Sequence, residues 1–162
     1  MADIPVDGTT KVFWVETIAD IAAPTAAELA AGIDLSCLIT SDGLIGFEAE
    51  TAEIDNSALC STSDTKLPGR ASYSGTKFRL KKQDGPDPDE AYVTLVRLAS
   101  GYIVVRRYVD QAVAWTAADE VQVYPAQCGE IMHISPEANT VARYEVPTMI
   151  TSQPALRAVV AA

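Results

Sequence analysis

The 162-residue sequence holds one histidine and three cysteines, so few of its side chains can do chemistry. His133 alone cannot complete a multi-histidine metal site, and a lone imidazole serves a Ser or Cys nucleophile only where a third group orients it. Its segment, Gly129-Glu130-Ile131-Met132-His133-Ile134, alternates so that His133 shares a face with Ile131, the pattern of a strand histidine. Cys37, Cys60 and Cys128 are odd in number and widely spaced, which fits neither a disulfide framework nor a zinc site and predicts buried thiols. No G-x-S-x-G, H-E-x-x-H or G-x-x-x-x-G-K-S/T stretch occurs. Glu48 and Glu50 fall on one side of an alternating stretch, with Phe47, Ala49 and Thr51 on the other. Paired carboxylates act as acid and base where an apolar pocket pushes their pKa values apart, and no such pocket is signalled here. The sequence predicts no enzyme, no cofactor and no metal.

Charge is distributed more informatively than its total. The formal charge is −10, and residues 1–64 carry 12 acids against one base, Lys11. Residues 65–162 carry 10 acids against 11 bases, and Lys66, Arg70, Lys77, Arg79, Lys81 and Lys82 follow one another with no acid between them. Clustered Lys and Arg can track a nucleic acid backbone, but a chain this acidic repels polyanions at long range. The better use of an acidic half and a basic block is each other. Head-to-tail copies would set the basic strand of one against the acidic surface of the next, building rings or filaments.

These charges need elements to hold them. Apolar residues make up 48% of the chain, enough for one domain with a real core. The longest uncharged stretch, Val146 to Leu156, is interrupted by Pro147 and Pro154, and no membrane span is expected. The first residues show no basic or apolar leader, so no secretory signal is expected. Strand signals run over 11–16, 33–40, 46–54, 72–82, 102–109, 120–124, 129–134, 141–150 and 156–160. Thr25 and Glu28 form a capping box ahead of a short helix ending at Gly32. Asp87 as N-cap and Pro88 behind it open a principal helix reaching about Ala99, with Gly101 as its stop. Residues 55–72, rich in Asp, Asn, Ser, Thr, Gly and Pro, read as a long loop. The fold class expected is mainly β: a sandwich or partly closed barrel with one principal packed helix.

Several segments, in order, resemble the major tail tube proteins of long-tailed, siphovirus-type phages of actinobacteria. They are Glu53-Ile54-Asp55-Asn56-Ser57-Ala58-Leu59-Cys60-Ser61, Leu67-Pro68-Gly69-Arg70, Glu90-Ala91-Tyr92-Val93-Thr94-Leu95, Gly101-Tyr102-Ile103-Val104-Val105-Arg106-Arg107, Val121-Gln122-Val123-Tyr124-Pro125 and Pro136-Glu137-Ala138-Asn139. The resemblance implies a single tail tube domain over 1–162, with residues 1–10 as an N-terminal arm and 55–72 as a loop bridging rings. It implies a virion protein, assembled in the host cytoplasm. Hexameric rings would stack into a hollow tube that delivers DNA.

The implied partners are the protein itself, a tail tip or initiator, a tape measure protein and a tail terminator. DNA would pass without specific binding, and no membrane is involved. An acidic wall would keep DNA centred, so Glu48, Glu50 and Glu53 are the lumen-facing candidates. Lys66, Arg70, Lys77, Arg79 and Lys81 are the candidates for contacts between subunits. Two alternatives stand beside this reading: a tube subunit of a contractile tail or phage-derived injection system, and a monomeric β-barrel module for a small ligand.

Overall fold

Val12-Phe13-Trp14-Val15 is an unbroken apolar run rather than an alternating one, and the computed structural model, which describes residues 1–162, shows why. These residues lie in β1 (Thr10–Val15), which pairs with β7 (Ser100–Arg107), itself paired with β8 (Glu120–Cys128). All three strands are covered on both faces, so both sets of alternating side chains must be apolar. One face carries Val12, Trp14, Ile103, Val105, Tyr124 and Ala126 into the larger core cluster. The other carries Phe13, Val15, Val104, Val121 and Val123 into a second cluster with Leu29, Ile18 and Trp115.

The remaining strands curl this sheet into a half-barrel. β9 (Met132–His133) continues the line of β8, and β10 (Arg143–Ile150) and β11 (Ala155–Val159) run back along the two of them, end to end. On its far edge β10 pairs with β6 (Lys77–Lys81), which pairs with β3 (Ile39–Ile45). A two-residue strand, β2 (Ile33–Asp34), closes the other margin against β1. The mainly β, partly closed architecture matches the sequence expectation. No helix is long and apolar enough to cross a membrane.

Several element boundaries differ from the sequence reading. Residues 33–40 do not form one strand, because Leu35 is fully buried and turns the chain between β2 and β3. Ser41-Asp42-Gly43, which falls between two of the expected strands, is a bulge inside β3. Gly46, at φ +78, then bends the chain, so the strand expected over 46–54 begins only at Glu50. Its Cβ would lie 2.7 Å from the Gly75 backbone, and only glycine satisfies both conditions. The expected loop 55–72 resolves into a hairpin of β4 (Glu50–Asp55) and β5 (Lys66–Ser72), joined by 56–65. Pro68 and Gly69 made β5 read as loop, but a two-stranded ribbon has only edge strands, and edges accept proline.

Both helices are short. α1 (Ala26–Ala30) forms with its full Thr25/Glu28 capping box. α2 (Glu90–Thr94) starts at Asp89, not Asp87, and stops well before Ala99. There Leu98 adopts φ +69, its N–H donates to the Cys128 carbonyl, and the Cys128 N–H donates to Ala99, so pairing with β8 overrides helix propensity. Ala91 and Leu95 are buried and Leu98 is exposed.

Candidate assembly surfaces

The β4–β5 hairpin buries little of itself. Every residue of β4 is exposed, and β5 is exposed apart from half-buried Gly69. It forms a sheet of its own, separate from the body. Ile54 and Leu67 sit directly opposite one another and stay half exposed, with Leu59 fully exposed at the tip. Apolar side chains left this exposed on a free ribbon are a surface of the kind proteins cover by contact.

The sequence-predicted acids do not share one regular strand. Glu48 lies in the bend before β4, Glu50 opens the strand, and Glu53 is ion-paired with Lys66 across the hairpin. Glu48 and Glu50 are exposed with no cation against them. The cations likewise separate. Lys77, Arg79 and Lys81 do share the outward face of β6, opposite buried Phe78 and Leu80. Lys77 donates to Glu145 Oε2 at 3.1 Å, and Arg79 holds Glu145 Oε1 through Nε and Nη2 at 3.1 and 2.9 Å while Nη1 reaches Asp42 at 2.7 Å. Burial opposes ionisation of Glu145, yet the hydrogen bonds from Arg79 and Lys77 hold its carboxyl below the usual range. Much of the basic strand's charge is therefore answered within the chain. Arg70, exposed on β5, and Lys81 are left without a carboxylate.

Sequence reasoning missed a second charged centre. Arg106 is the largest polar side chain buried in the molecule, and it donates to Asp119 and to the carbonyls of Asp110, Val113 and Ala114. Lys11 donates to the same Val113 carbonyl at 2.9 Å, with its ammonium 5.1 Å from the Trp115 ring. Burial first, and then the neighbouring Arg106 charge, push the Lys11 pKa down. Together they tie down the 108–119 loop. The only signal available was polar residues, Lys11 and Arg106, at the inward register of apolar strands.

The residues first weighed for chemistry remain apart. His133 is exposed in β9, 3.4 Å from the Tyr92 hydroxyl. Cys128 is buried as expected, but Cys37 and Cys60 are exposed, since they fall in a turn and in the hairpin tip rather than in strands. No three His, Cys, Asp or Glu side chains gather into a metal-binding group.

The family model for phage tail tube proteins matches residues 1–162. No curated protein matches the chain. Among solved structures, one from the extended-state sheath/tube terminator of an extracellular contractile injection system, PVC, aligns at 16% identity with a TM-score of 0.57, covering 95% of this chain and 96% of that one. Another, from the six-fold symmetrised baseplate of the anti-feeding prophage, aligns at 9% identity with a TM-score of 0.57, covering 94% and 95%. A third, from the extended PVC sheath–tube complex, aligns at 16% identity with a TM-score of 0.56, covering 94% and 89%. At these identities the likeness establishes the curled β fold. With the family match spanning its whole length, the chain belongs to the phage tail tube protein family and is a structural component of the virion tail.

Proposed function

We propose that the protein is the repeating subunit of a hollow tail tube, six copies closing each ring and rings stacking into a conduit for phage DNA. The observation that carries this reading is the β4–β5 hairpin, a ribbon exposed along both strands that leaves Ile54 and Leu67 half exposed and Leu59 fully exposed. The hairpin is the bridge to the neighbouring ring, in place of the looser 55–72 boundary, and residues 1–10 act as a second arm. Glu48 and Glu50 face the lumen, where unpaired carboxylates keep DNA from adhering; Glu53, spent on Lys66, contributes less. Arg70 and Lys81 are better placed for contacts between subunits than Lys66, Lys77 and Arg79, whose charges are answered at home. Tail tip, tape measure and terminator proteins complete the assembly.

Two versions of this function differ in the surroundings of the tube. The order of segments set out above supports a non-contractile tail of an actinobacterial phage. The fold neighbours, drawn from sheathed contractile injection systems, favour a tube working inside a sheath. Negative-stain electron microscopy of the purified protein across concentrations tests the shared claim. Six-fold rings or rods with a stain-filled channel are expected, and a protein that stays monomeric in the presence of its initiating tip complex would refute it.

A further inference from the structure

The cations of the chain divide into two groups. Lys66, Lys77, Arg79, Lys82, Arg106 and Arg143 each have a carboxylate within reach, whereas Lys11, Arg70, Lys81, Arg97, Arg107 and Arg157 have none, and among the latter Arg107 and Arg157 come together. These two arginines flank one groove, lined by Tyr108, Leu156 and Val159, with Glu120 its single acid. Arg107 is aimed by Gln122, whose Oε1 accepts from its Nε at 3.3 Å and from the Tyr124 hydroxyl at 3.2 Å. Tyr108 is held at φ +68 with 63% of its surface exposed. A bulky residue kept in the left-handed region, with its ring in solvent, is strain retained at a contact site.

The complementary surface lies at another margin of the sheet. Lys81 donates its N–H to the Leu38 carbonyl, and the residues that follow it line a pocket with Ile33, Asp34 and Leu38 beside β2, whereas the groove lies among β7, β8 and β11. Just beyond Lys81 comes Asp84-Gly85-Pro86-Asp87-Pro88-Asp89-Glu90. Asp84, Asp87 and Glu90 are exposed and carry no cation. The turn is rigid. Its two prolines fix φ, and the Asp89 carboxylate accepts from Lys82 Nζ at 3.2 Å, Gln83 N at 2.9 Å and Tyr92 N at 3.2 Å.

We propose that the Arg107–Arg157 groove receives the Asp84–Glu90 turn of a second copy, joining copies head to tail. This rests on the tube reading and names the contact that stacks one ring on the next. Pro86 and Pro88 set their rings on Tyr108, Leu156 and Val159, while the free carboxylates meet the two guanidiniums, which bind carboxylate in a planar fork. Preorganisation of the turn keeps the ordering cost low. Because the two surfaces differ and lie on different margins, the contact is heterologous and repeats from copy to copy.

Full-length chains carrying Asp84→Arg with Asp87→Arg, or Arg107→Glu with Arg157→Glu, test this against wild type by electron microscopy and sedimentation. Each variant alone is expected to form rings but to need about tenfold more protein to form rods. A one-to-one mixture restores rods, because every reversed turn then meets a reversed groove; a variant that merely misfolds is not rescued this way. Arg157→Glu alone, at an exposed residue, serves where Arg107→Glu perturbs Gln122. Rods of ordinary length from the separate variants, or a mixture that fails to restore them, would overturn the inference while leaving the tube reading standing. Absence of rings from wild type as well would overturn both.

Discussion

Arg106 donates to Asp119 at 2.8 Å while its guanidinium sits 5.1 Å from the Trp115 ring, with 1% of the residue exposed. Charge is seldom buried this deeply without purpose. Three of its bonds go to carbonyls of residues 110–114, so one side chain fixes the loop that carries Tyr108 at its start.

Arg106→Leu leaves Asp119 without its ion pair, and Asp119→Asn leaves a buried guanidinium uncompensated. Each is expected to cost about 3–5 kcal/mol in denaturant unfolding. The loop should also lose amide-exchange protection. Wild-type stability in either variant contradicts the assignment.

Acid should destabilise the fold through three carboxylates. Burial raises the pKa of Asp119, Asp89 and Glu145, but hydrogen bonds outweigh it, from Thr116 N–H and Arg106 to the first, Gln83 and Tyr92 N–H to the second, and Arg79 and Lys77 to the third. With folded pKa values below unfolded ones near 4, their stabilisation is complete above about pH 5 and is lost as pH falls through the folded values. Glu145→Gln should therefore flatten the acid limb of a stability-versus-pH curve while lowering stability at neutral pH by about 1.5–3 kcal/mol.

Cysteine reactivity should follow burial. Cys37 and Cys60 are exposed and should react with a thiol reagent in the native protein. Cys128, whose thiol burial pushes up to about 12, should react only on unfolding. Mass spectrometry after native labelling should find two adducts, and a third would contradict the buried assignment.

Close backbone approach sets the next expectation. A Cβ on Gly32 would lie 2.6 Å from the Trp14 carbonyl oxygen and 2.7 Å from Val15 Cγ2. Gly32→Ala should cost about 1–3 kcal/mol by overpacking, read as a fall in Tm. Its φ is not positive, so the helix-stop role expected from sequence gives way to a packing one.

What was legible in the sequence was what local chemistry decides. The Thr25/Glu28 box, the two-sided basic strand Lys77–Lys81 and the apolar run of β1 all follow from spacing. Partnership at a distance was not legible. Nothing near Lys77 or Arg79 announces Glu145, which reaches them only because β10 pairs with β6. Glu48 and Glu50 read as one strand face, but the chain bends at Gly46 and only Glu50 lies in the strand. Cys37 and Cys60 read as buried on residue type alone, while position in turn and tip decided their exposure.

The hairpin separates folding from assembly. Ile54→Ser with Leu67→Ser removes a half-exposed cross-strand pair from a ribbon separate from the body's sheet, so monomer stability should shift by no more than about 1 kcal/mol. Ring stacking should fail, as seen by sedimentation. A large loss of monomer stability would mean that the ribbon belongs to the fold instead.

The central claim is polymerisation into a channel, and negative-stain electron microscopy of wild-type protein from low to high concentration, with light scattering for mass, tests it most directly. The expected result is rings and rods with a stain-filled centre that lengthen with concentration. Monomers at every concentration, even after an initiating tip complex is supplied, would contradict it.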